Sequence, residues 1–85
     1  MIGANVPKFT DAELVAGMEE RIASCVADKA VNVQMLKDIQ LCVKIMDNKP
    51  AIYNSELRAS VETLLAERTA QVKDRYEKNG WAFNF

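Results

Sequence analysis

Residues 47–57 read DNKPAIYNSEL. Pro50 disfavours helical backbone at Lys49, so a helix arriving through Asp47 and Asn48 must stop there. A little further on, Asn54 and Ser55 are both good residues for starting a helix, because their short side chains can accept a bond from an unpaired amide of the first turn. One helix therefore ends and another begins inside this stretch.

Working back from Pro50, the second helix is expected over about 33–48, with Asn32 as its N-cap. Met35, Leu36, Ile39, Cys42, Val43 and Met46 recur at helical spacing and mark its main apolar stripe. Leu41 and Ile45 fall outside that stripe, on a second flank. The polar positions shrink to a narrow line through Lys37, Gln40, Lys44 and Asp47. A helix apolar over most of its circumference is normally covered on more than one side, and two other helices are few for that purpose.

Working forward, the third helix is expected over about 55–79, with Gly80 as the left-handed residue that closes it. Leu57, Val61, Leu64, Leu65, Val72 and Tyr76 mark its buried face, with Thr69 bridging a thin stretch. At 1.5 Å per residue it spans about 36 Å, longer than either neighbour. Its distal part, from Thr69 on, overhangs a compact hairpin of the first two helices.

The first helix is expected over about 10–28. Thr10-Asp11-Ala12-Glu13 is a capping box, and Phe9 is placed to pack on Leu14. Leu14, Val15, Met18, Ile22, Cys25 and Val26 form its stripe. Gly17 weakens the helix by about 1 kcal/mol relative to Ala, which makes it a candidate for close approach of another backbone. The expected architecture is an all-α single domain over residues 1–85. It is a three-helix hairpin or bundle with a long third helix, followed by an aromatic tail over 80–85.

The tail carries Trp81, Phe83 and Phe85, half of the six aromatic residues of the chain. In a glycine-terminated helix the residue after the glycine packs back on the last turn, here Trp81 on Tyr76. Phe83 and Phe85 share its direction if the tail is extended. Three destinations remain open: the overhang of its own helix, a neighbouring copy, or another protein.

Composition narrows the chemistry. The chain has 85 residues, a net charge of −1 and no histidine. A strongly basic nucleic-acid binder is disfavoured, though not a local basic face. Cys25 and Cys42 cannot supply the four ligands of a zinc site, and each lies on an apolar stripe, so no metal or cofactor is expected. Without histidine the usual neutral-pH base is missing. No G-x-S-x-G motif is present, and glycines at positions 3, 17 and 80 cannot form a phosphate loop. A non-enzymatic role follows. No run approaches the ~20 apolar residues of a membrane span, and residues 1–7 lack the regions of a signal peptide. The expected setting is the cytoplasm, with reduced thiols.

Lys37, Gln40 and Lys44 share one face of the second helix, with Lys29 in the loop before it. Arg21 joins them if the hairpin geometry brings it near. Such a line can contact phosphates. Repeated over an assembly of copies, weak contacts add through effective concentration. Self-association is expected through the second and third helices, with Leu41, Ile45, Val72 and Tyr76 at the interface.

Met18-x-x-Arg21, a polar loop, a second helix ending in KIMDN (44–48) and a long helix closing on RYEKNG (75–80) follow one another in this order. Over about residues 14–80 this pattern resembles the small terminase subunits of short-tailed bacteriophages. The resemblance implies a homo-oligomeric ring that contacts double-stranded viral DNA and regulates a large ATPase-nuclease subunit in genome packaging. Helices one and two would then face DNA, the long helix would line subunit contacts, and the tail would engage the large terminase subunit. Two other readings remain. One is a helical inhibitor or adaptor that grips a single protein partner by its aromatic tail. The other is a helical oligomer holding a small ligand between subunits.

Overall fold

A computed structural model describes residues 8–85; the expectations for residues 1–7 lie outside that range. Three helices follow in order: α1 (Asp11–Ala27), α2 (Val33–Asn48) and α3 (Ser55–Lys78). The fold is all-α, with no strand among the described residues. None of these helices is long and apolar enough to cross a membrane.

Each helix starts where its side chains can satisfy free amides. Thr10 Oγ1 accepts from the Glu13 amide at 3.2 Å, and Glu13 Oε1 accepts from the Thr10 amide at 3.0 Å, completing the capping box. Asn32 accepts from the Met35 amide at 3.0 Å. Asn54, rather than Ser55, caps α3, accepting from the Leu57 amide at 2.7 Å.

The helix ends are equally specific. α1 has no basic residue in its last turn. Arg68 of α3 supplies the cation instead, its Nη2 donating to the Val26 carbonyl oxygen at 3.2 Å. α3 ends on Gly80 at φ 68°, with the Trp81 amide donating to the Tyr76 carbonyl and the Gly80 amide to the Glu77 carbonyl. That bond pair is the Schellman motif expected of a left-handed glycine.

The core lies between α2 and α3. Met35, Leu36, Ile39, Cys42 and Met46 of α2 are buried, as are Val61, Leu64 and Val72 of α3. Tyr53, in the connection between them, is buried too. A fork from Arg58 to both oxygens of Asp47 ties the end of α2 to the first turn of α3, and Arg58 also meets Glu62 at 2.8 Å. α1 is held more lightly. Only Met18 of its stripe is buried; Leu14, Val15, Ile22 and Cys25 are half-buried, and Val26 is exposed.

Candidate interaction site

α2 presents two surfaces that the fold leaves open. Its buried residues occupy an arc of about 120°, given 100° per residue. Lys37, Leu41 and Lys44 fall on the opposite side, with Gln40 at one edge and Ile45 at the other. All five are exposed. Leu41 keeps 49% and Ile45 36% of its surface in the single chain. Among the described residues no ion pair holds Lys37 or Lys44. The expected basic line is thus intact along α2 and shares its face with two large apolar side chains. Lys29 is exposed in the preceding loop, where the Asp28 carboxylate accepts from the Ala30 amide at 2.9 Å and sets the turn.

Arg21 does not join that line. It borders a hollow of about 470 Å³ together with Glu20, Asp28 and Asp38. Asp38 and Lys37 are successive residues, about 100° apart around α2. The guanidinium therefore looks onto carboxylates on the α1 side of α2, away from Lys44. A smaller, mainly apolar hollow of about 250 Å³ continues past Arg21 to Phe9, Leu14, Met18 and Tyr53. A third, of about 180 Å³, shares Cys25, Asp28 and Asp38 at the other end. The first and third meet at Cys25, Asp28 and Asp38 in a groove between α1 and α2, and the second continues the opening along α1 toward Tyr53.

Gly17 borders the first two hollows, and a Cβ built on it meets nothing within 4 Å. The expected close approach of another backbone is therefore not made among the described residues; the glycine widens the groove. Phe9 stays 62% exposed at the groove's end, so it does not close over Leu14 as a full staple would.

The tail folds back on its own helix. Trp81 and Phe83 both meet Tyr76 edge-to-face, with ring centres 5.5 and 5.4 Å away. Phe85 follows at 6.2 Å from Phe83. Phe83 is half-buried, while Trp81 remains 57% exposed. Tyr76, expected between copies, is half-buried beneath these rings. Val72, also expected at an interface, is 1% exposed within one chain. It is buried within the single chain, outside the main cluster around Ile39 and Val61.

The two cysteines are free. Burial pushes both thiols up from their ordinary range, and Asp38 adds to this while Arg21 pulls the other way. They stay protonated and fill space as small apolar groups. Among the described residues no cluster of side chains is suited to a metal ion.

No family model, no curated protein and no solved structure matches this chain. The small-terminase resemblance therefore stands on its sequence pattern alone. The α1–α2 groove went unread in the sequence. Gly17 was its one signal, and a glycine inside a helix points equally to a contact and to an opening.

Proposed function

We propose that this chain is a non-enzymatic helical adaptor that works as an assembly of its own copies. In its finer form the proposal is a DNA-packaging small subunit that contacts double-stranded DNA and regulates a large ATPase-nuclease partner. The observation that carries the assembly is the outer face of α2, where Leu41 and Ile45 stand exposed on the side away from the core. Large apolar side chains grouped on one face mark contact surfaces more often than isolated ones do. The DNA role rests on the resemblance, supported by Lys37, Gln40 and Lys44 on that same exposed side. Repeated around an assembly, the line would offer phosphates many weak contacts, steeply weakened by salt.

The test is solution mass by native mass spectrometry, followed by gel shift of a duplex DNA at low salt. A single large assembly that shifts DNA, with the shift lost in Lys37→Glu plus Lys44→Glu, is the expected result. A monomer at micromolar concentration overturns the assembly. The exposed Trp81 would then favour the rival reading, an adaptor that grips one protein by its tail.

A further inference from the structure

We infer that the groove between α1 and α2 is the seat for the outer face of α2 from a second copy of this chain, so that copies meet head to tail. The inference rests on the self-association proposed above and names the two surfaces that meet; it stands apart from the DNA contact, because Lys37 and Lys44 seated against carboxylates are no longer open to phosphates.

Charge is complementary across the contact. The groove is bordered by Glu13, Glu20, Asp28 and Asp38, against the single cation Arg21. Its apolar lining includes Met18, Cys25 and Met35. The outer face of α2 carries the converse set. Lys37, Leu41, Lys44 and Ile45 recur at helical spacing, with two ammonium groups beside two apolar side chains. Laid in the groove, the lysines would face the carboxylates and the apolar pair would meet Cys25, since Met18 and Met35 are each only 6% exposed. Gly17 opens the wall to an approaching helix, since among the described residues nothing stands within 4 Å of its missing Cβ. Packing an amphipathic helix into a groove between two others is a recurring mode of recognition.

The arrangement also selects against a symmetric pairing. An antiparallel two-fold contact between two α2 faces sets Lys37 and Lys44 against the same residues of the other copy, and like charges oppose it. Around α2, Lys37 lies about 100° and Lys44 about 120° from Asp38, while Ile45 lies within about 20° of it, at the groove's edge. Head-to-tail contacts of this kind continue from copy to copy, closing into a ring or running on as a filament according to the rotation.

The experiment uses the full chain and two charge-reversed variants, with helical circular dichroism as the control for folding. One reverses the face (Lys37→Glu plus Lys44→Glu), and the other reverses the groove (Glu20→Lys plus Asp38→Lys). Each alone is expected to associate at least about tenfold more weakly than the natural chain. Mixed in equal amounts they are expected to regain its assembly mass, because every reversed face then meets a reversed groove. Should a reversal cost the fold, Lys44→Gln and Glu20→Gln serve in its place, each weakening assembly by about a factor of a few. A groove variant that assembles like the natural chain, beside a face variant that does not, overturns the groove and leaves self-association standing. A natural chain that is monomeric overturns both.

Discussion

At the scale of single residues, the two described glycines call for opposite responses to one methyl group. Gly80 sits at φ 68°, where a side chain crowds the following carbonyl and costs about 1–2 kcal/mol. Gly80→Ala is expected to destabilise the protein by about 1 kcal/mol, lowering the melting temperature by roughly 4–8 °C. It should also loosen the Trp81–Tyr76 contact, read as a red shift of tryptophan emission. Gly17 has ordinary helical backbone and open space around it. Gly17→Ala is expected to stabilise the isolated chain by about 0.5–1 kcal/mol, measured by urea denaturation. A destabilising Gly17→Ala would mean that something does approach that position closely.

At the scale of elements, the helix boundaries were legible because short-range chemistry sets them. The expected spans of about 10–28, 33–48 and 55–79 differ from the observed ones by no more than a residue at each end, since Thr10, Asn32 and Asn54 act within their own first turns. Contacts between elements were not legible. Tyr53 is a core residue in a connection, outside any helical period, and nothing local announces its burial. The Arg58–Asp47 fork and the Arg68–Val26 bond join residues whose pairing depends on how the helices cross. The Arg58–Asp47 pair carries a pH dependence. The Arg58 guanidinium holds the Asp47 carboxyl below its usual range, and the Thr10 amide and hydroxyl do the same for Glu13. A carboxyl depressed in the folded state contributes stability above its unfolded pKa of about 4 and loses it as pH falls through the folded value. The urea midpoint is therefore expected to drop on acidification below about pH 4. Asp47→Asn should flatten that drop, and an acid limb identical in the variant would remove Asp47 from the account.

At the scale of the whole molecule, the three helices are not equally bound, and this is where the sequence pattern misled. The stripe of α1 looks as apolar as that of α2, yet only Met18 is fully buried on α1 against five residues on α2. A stripe says which side of a helix faces inward; how much partner surface awaits it depends on the other elements. Here α2 and α3 pack mainly on each other, and α1 lies against them with a groove along one side. Local opening follows the least buried unit, so α1 should detach while the α2–α3 hairpin stays formed. Native-state hydrogen exchange measures this directly. The amides of α1 are expected to exchange through an opening of lower free energy than those around Ile39 and Val61, which are fully buried. Met18→Ala should lower that opening energy by about 2 kcal/mol or more with a smaller effect on the hairpin amides. Protection of α1 equal to that of α2 would mean that the half-covered stripe holds it as firmly as a full core does. The concentration dependence of the same experiment connects stability to assembly. A second helix seated in the α1–α2 groove covers Met18 and Cys25 further, so α1 protection should rise as copies associate, while a contact made elsewhere on α2 would leave it unchanged.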